Sequence, residues 1–262
     1  MSKSNINKLF KDAENEGLLS LEATKALTVR DVGAEIEKAM GVSIDQVQSS
    51  EVVLVTIMPD DSGSIENAGH APVMRDGHNK VIEALKKSKQ VGSVLVHNRY
   101  LNGKILYPYR PLDKAVEMND QNYEPNKGTP LYDQTVILLG TVIAKTQDFA
   151  NNGVPVRTVT LIITDGEELH STRSTAQDCA NIIRDMLKTE NHIVAAMGID
   201  DGHTDFRQVF QEMGIPDKWI LTPDNTDKEI RKAFQLFSES AMKASQGAAG
   251  FKNTAAGGFG NP

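Results

Sequence analysis

A single cysteine, Cys179, stands among the 262 residues, so no disulfide can form within the chain. It lies in a segment patterned as an amphipathic helix, and one unpaired thiol suits a reducing compartment, so the cytoplasm is the expected location. No apolar run approaches membrane-spanning length. The charged start, MSKSNINKLFKDAENEG, lacks the apolar stretch of roughly 7 to 15 residues that a signal peptide needs, and no membrane partner is expected. Positive charge is also in deficit: 28 Lys and Arg face 35 Asp and Glu, a formal net charge of -7. With no global field to collect phosphates, nucleic acid is not an expected partner. The sequence has no Gly-x-x-x-x-Gly-Lys-Ser/Thr loop, no Gly-x-Ser-x-Gly elbow and no Gly-x-Gly-x-x-Gly fingerprint, so the common nucleotide-binding and hydrolase routes are unsupported.

What is there is the length and apolar content for one large domain or two small ones with a sizeable core. Residues 1–50 form a helical extension in which Val29, Val32, Ile36 and Met40 recur at helical spacing after Thr28. Asp31 is placed as in a capping box and Gly41 as a stop. This extension is either a partner-binding element or an arm packed on the main domain.

From Glu51 the pattern changes to short apolar runs, EVVLVTIM, VGSVLVHN, RTVTLIIT, HIVAAMGI and KWILT, the last including Trp219. Such runs describe strands buried on both faces. Between them Val81, Ile82 and Leu85, then Leu131, Thr135, Leu138 and Val142, then Ile182, Ile183 and Met186, then Ile230, Phe234 and Phe237 supply one-sided helices. The alternation predicts an α/β fold over 51–245: a doubly wound, mostly parallel sheet flanked by helices, with right-handed crossovers. LNGKILYPYR adds one antiparallel edge strand through a turn at Asn102 and Gly103. The tail, 246–262, is rich in Gly, Ala, Ser and Asn with almost no apolar period, which predicts a flexible segment.

In an open sheet of this kind ligands bind beyond the carboxyl ends of the strands. After EVVLVTIM come Pro59, Asp60, Asp61, Ser62, Gly63 and Ser64, a loop offering a carboxylate and two hydroxyls at alternate positions. After RTVTLIIT comes Asp165 with Gly166, Glu167 and Glu168. In NKGTPLYD, Gly128 frees the backbone for an unusual turn, Pro130 suits the first position of a helix, and Thr129 is its expected cap. Carboxylate and hydroxyl oxygens are hard ligands suited to Mg²⁺ or Mn²⁺. No Cys or His cluster competes for zinc. Any one of these pieces is an ordinary turn or cap; their conjunction points to a cation.

In that conjunction the sequence resembles von Willebrand factor A (vWA) domains. Asp60, Ser62 and Ser64 match the family's Asp-x-Ser-x-Ser motif, Thr129 in GTPLYD its separate Thr, and Asp165 in TDGEE its final Asp. The five elements of the metal ion-dependent adhesion site are present in order, and the similarity runs from about Glu51 to Ser245. The resemblance implies a Rossmann-like vWA fold in which the hydroxyls of Ser62, Ser64 and Thr129 bind the cation, while Asp60 and Asp165 act directly or through water. It further implies a non-enzymatic module whose cation accepts an Asp or Glu from a protein partner. Asp61 departs from the family, where this position is often apolar; pointing inward, it would strengthen cation binding and disfavour an acidic partner.

Lys127, Glu167, Glu168 and His170 flank the motif as exposed loop residues, and His97, at a strand end beside Asn98 and Arg99, reads as a hydrogen-bonded structural histidine. Two other functions are weighed against the binding module. One is a metal-assisted hydrolase, for which the loops offer no convincing general base. The other is a scaffold protein with an unused cation site.

Overall fold

A computed structural model describes residues 3–28, 32–47 and 49–260. The apolar runs become one six-stranded sheet: β1 (Val52–Met58), β2 (Val94–Arg99), β3 (Ile105–Pro111), β4 (Val156–Thr164), β5 (His192–Gly198) and β6 (Ile220–Leu221). Their order is β3-β2-β1-β4-β5-β6. Every pairing is parallel except β2 with β3, the edge strand reached through Asn102 and Gly103. β1, β2 and β5 are buried at every position, which is why their sequences carry no two-residue alternation.

The helices are α1 (Lys3–Asn15), α2 (Leu21–Thr28), α3 (Gly33–Ala39), α4 (Gly63–Asn67), α5 (Ala71–Lys86), α6 (Leu131–Ala150), α7 (Ala176–Lys188), α8 (Phe206–Glu212), α9 (Asp227–Ala244) and α10 (Ala248–Gly257). α5 packs with α9, and α10 packs on α9; α6 packs with α7, and α1, α2 and α3 lie against α6. Among the described residues no helix is long and apolar enough to cross a membrane. β1 and β4 are adjacent although β2 and β3 lie between them in sequence. The chain therefore leaves β1 towards one edge of the sheet and leaves β4 towards the other, opening a crevice beyond their carboxyl ends. The loops after these two strands carry Asp60 and Asp165.

Among the described residues of the first fifty there are three α-helices, and Thr28 ends α2 instead of capping the next one; its hydroxyl donates to the Thr24 carbonyl at 2.7 Å. α3 starts after Val32 without a side-chain cap, and Val29 and Asp31 lie outside the described residues. These helices bury Ile6, Phe10, Leu27 and Ile36 completely. Three of those side chains converge on Gly140 of α6, where an added Cβ would stand 2.8 Å from both Ile36 and Leu27 and 3.5 Å from Phe10. Polar contacts fix the same seat: Asp185 of α7 accepts from the Ser20 amide at 2.8 Å and from its hydroxyl, and Glu35 pairs with Arg173 at 2.9 Å.

The tail departs from the expected flexible segment. Ala-rich sequence is strongly helix-forming, and here α10 buries Phe251, while Lys218 donates to the Ala255 carbonyl at 2.6 Å. Phe259 meets Trp219 edge-on with ring centroids 4.9 Å apart. Trp219 itself sits in a short helical turn ahead of β6, not in the strand. Two aromatic anchors, too sparse to make a period, hold this segment to the body.

The crowding at Gly140 makes a direct test. Gly140→Val improves helix propensity yet pushes into Ile36 and Leu27, so urea denaturation is expected to show a net loss of about 1–3 kcal/mol. Unchanged or increased stability would mean that the leading helices do not depend on this seat.

Candidate metal centre

Asp60 is fully buried just past the end of β1. Its Oδ1 accepts the Ser62 amide at 2.7 Å, which folds the loop back on itself. Its Oδ2 accepts the Thr164 hydroxyl at 2.7 Å and the Asp165 amide at 3.3 Å, joining the loops after β1 and β4. The Tyr123 hydroxyl donates to the Asp60 carbonyl. Ser62 holds the cap position of α4 without a side-chain cap bond, and its hydroxyl lies 2.8 Å from that of Ser64 in the first turn. Ser64 donates to Asp165 Oδ1 at 2.5 Å, and Ser62 lies 3.4 Å from the same oxygen.

Thr129 also reaches this cluster. A Cβ on Gly166 would lie 3.3 Å from the Thr129 hydroxyl and 3.4 Å from that of Ser64, so both line the space that glycine leaves open. Thr129 does not cap α6, contrary to expectation; Pro130 holds the cap position. The first amides of that helix are satisfied from elsewhere, Tyr132 by Glu168 at 2.9 Å and Asp133 by the Ser171 hydroxyl at 3.0 Å. Gly128 serves close packing, not the unusual turn expected of it: a Cβ there would stand 2.8 Å from the His170 ring. That ring accepts the Thr129 amide on Nδ1 at 3.0 Å.

Glu168 and His170 are therefore built into the loops instead of merely facing solvent. Asp61 turns away from the cluster, its Oδ1 accepting the Asn102 amide at 2.9 Å, so it does not point inward. Thr164 and Tyr123 are structural partners that motif reading missed, and Glu168 and His170 hold a structural role that it did not assign them. Thr164 left a signal as the strand-end hydroxyl just before Asp165, and Glu168 and His170 are visible beside the motif but as exposed loop residues; their bonds to Tyr132 and Thr129, like the Tyr123 contact, span distant sequence. His97 is buried, with Nδ1 2.8 Å from the Tyr107 carbonyl, and burial followed by the charge of Arg99 lowers its pKa to about 3. Burial raises the Cys179 thiol well above its ordinary range, in keeping with a packing role.

The electrostatics bear on what the cluster can hold. Burial raises the pKa of Asp60, and burial followed by the charge of Asp60 raises Asp165 to about 6. Asp61 rises to about 7, mainly through burial. Among the described residues no Lys or Arg forms an ion pair with Asp60 or Asp165. Nor do three or more His, Cys, Asp and Glu side chains cluster as a metal site there, so the donors at hand are two carboxylates and three hydroxyls. That set fits a hard divalent cation: all donors are oxygens, and the negative charge lacks a side-chain counterion.

With this geometry, the chain is similar to the pilus adhesin SpaC from Lactobacillus rhamnosus GG in its open conformation. The TM-score is 0.53 at 16% identity, over 76% of this chain and 31% of that one. The likeness is one of fold. Proximal thread matrix protein 1 (PTMP1) from the mussel byssus superposes with a TM-score of 0.49 at 16% identity, over 72% of this chain and 47% of that one. A further PTMP1 structure has a zinc-occupied MIDAS motif, with a TM-score of 0.48 at 13% identity over 73% and 46% of the two chains. This chain thus spans from about a third to a half of those longer chains. No family model and no curated protein matches the sequence. The six-stranded, mostly parallel sheet with one antiparallel edge pair is the architecture that the vWA resemblance implies.

The raised carboxyl pKa values set a pH dependence. A folded-state pKa of about 6 for Asp165, against an unfolded value of about 4, means that the folded chain holds the proton more tightly. The stability that this proton provides is present below about pH 4 and is lost as pH rises through about 6. A cation competes with the proton for the same oxygens. Saturating Mg²⁺ is therefore expected to raise the melting temperature more at pH 8 than at pH 5, and an equal rise at both would contradict this placement of the carboxylates.

Proposed function

We propose that this chain is a divalent-cation-dependent protein-binding module of the vWA type, acting as an adaptor or assembly element and not as an enzyme. The observation that carries the reading is the meeting of Ser62, Ser64 and Asp165 with Thr129 around the space beside Gly166, over a buried Asp60. Ser62, Ser64 and Thr129 offer neutral oxygens to Mg²⁺ or Mn²⁺, and Asp60 and Asp165 act directly or through water. With three neutral donors, the bound cation keeps enough electrophilicity to accept one carboxylate from outside, an Asp or Glu on a partner protein. Desolvating that carboxylate is costly anywhere else on the surface, so this contact anchors the interface.

Binding is favoured over hydrolysis because Glu168 and His170, two groups of this loop able to take a proton, are already engaged. Glu168 accepts amides from Tyr132, His170 and Ser171, and His170 accepts that of Thr129 on Nδ1. Neither is left as an evident base for activating water.

The test is capture of Asp- and Glu-containing peptides on the immobilised chain in Mg²⁺, repeated in EDTA and with Asp60→Ala and Thr129→Val. Capture is expected to fall at least tenfold in EDTA and in each variant, since each removes a charge or oxygen from the cation shell. Equal capture by both variants would sink the proposal.

A further inference from the structure

Five large apolar side chains are exposed among the described residues, and Leu169 is the most exposed, at 69%. A lone surface leucine is ordinary. This one is set apart by its neighbours in the chain. On one side Glu168 accepts the amides of Tyr132 at 2.9 Å, His170 at 2.8 Å and Ser171 at 2.7 Å, and the Ser171 hydroxyl at 2.8 Å. On the other side His170 lies against Gly128 and accepts the Thr129 amide. Further along, Asp133 gathers the amides of Thr172, Arg173 and Ser174 at 3.0, 3.0 and 2.6 Å. The loop is pinned before and after Leu169, yet its side chain is left in water, four residues beyond Asp165 and next to the His170 that holds Thr129.

We infer that Leu169 is a specificity contact: the protein partner presents its Asp or Glu beside an apolar side chain, Leu, Ile, Met or Phe, which packs on Leu169. This rests on the cation-dependent binding reading above. A preordered apolar knob costs little entropy on binding, because the backbone around it is already fixed. Covering it also excludes water from the rim, which strengthens the charged contact it borders. Glu167, exposed on the same loop, repels further acidic residues close to the anchor.

The experiment pans displayed peptides with one fixed Asp and randomised flanks against the full chain in Mg²⁺, with elution by EDTA. It is run in parallel on Leu169→Ser, whose Mg²⁺ binding is checked by calorimetry. Peptides eluted from the natural chain are expected to carry apolar residues close to the Asp. A selected peptide is expected to bind Leu169→Ser about tenfold more weakly, the scale of one lost leucine burial, with Mg²⁺ binding unchanged. EDTA-eluted peptides without an apolar preference, or equal affinity for Leu169→Ser, would overturn the inference while leaving cation-dependent binding intact. If EDTA elutes no peptide at all, both this inference and the function beneath it fall.

Discussion

The structure turns on the Asp60 carboxylate, buried at the point where the chain leaves β1 and β4 in opposite directions. One of its oxygens shapes the Ser62–Ser64 loop, and the other ties that loop to Thr164 and Asp165. An ionised carboxylate at this depth is unfavourable unless hydrogen bonds or an opposite charge offset the lost hydration. The hydrogen bonds are present. The opposite charge is not supplied by any Lys or Arg paired with Asp60 among the described residues, and Asp61 and Asp165 add negative charge close by. Such a cluster is costly without an opposite charge, and its oxygens fit the divalent cation proposed above.

Polar contacts continue from this centre to the leading helices. Thr129 is held by His170, the segment from Glu168 to Ser174 is held on the start of α6 through Glu168 and Asp133, and Arg173 within it pairs with Glu35 of α3. Glu35 also lies 3.8 Å from the buried guanidinium of Arg99, which donates to Gln134 at 2.9 Å. The arm on α6 is thus joined by polar contacts to the loop that borders the proposed cation site. Its apolar seat lies midway along α6 at Gly140, while its ion pairs run from Glu35 to Arg173 in that loop and to Arg99 of β2.

Much of this was legible in the sequence, for definable reasons. Strands buried on both faces read as unbroken apolar runs, so β1, β2, β4 and β5 were placed, and with them the loops where ligands bind. Asp60, Ser62 and Ser64 lie within five residues, and Asp165 directly follows a strand, so a local pattern suffices to find them. Thr129 was found as well, but for the wrong local reason, since the cap of α6 comes from Glu168 and Ser171 some forty residues away. Contacts of that range leave no periodic trace, which also hid Tyr123, the bond from Thr129 to His170 and the direction of Asp61. The α10 segment was misread because two anchoring phenylalanines in an Ala-Gly background fall below any hydrophobic period.

The central claim is that this oxygen cluster binds one hard divalent cation per chain. Calorimetric titration of the intact chain with Mg²⁺ and with Mn²⁺, alongside Asp165→Asn, tests it most directly. The account predicts a single site for either ion on the intact chain and a large loss of affinity in the variant. No cation binding by the intact chain, or equal binding by Asp165→Asn, would contradict it.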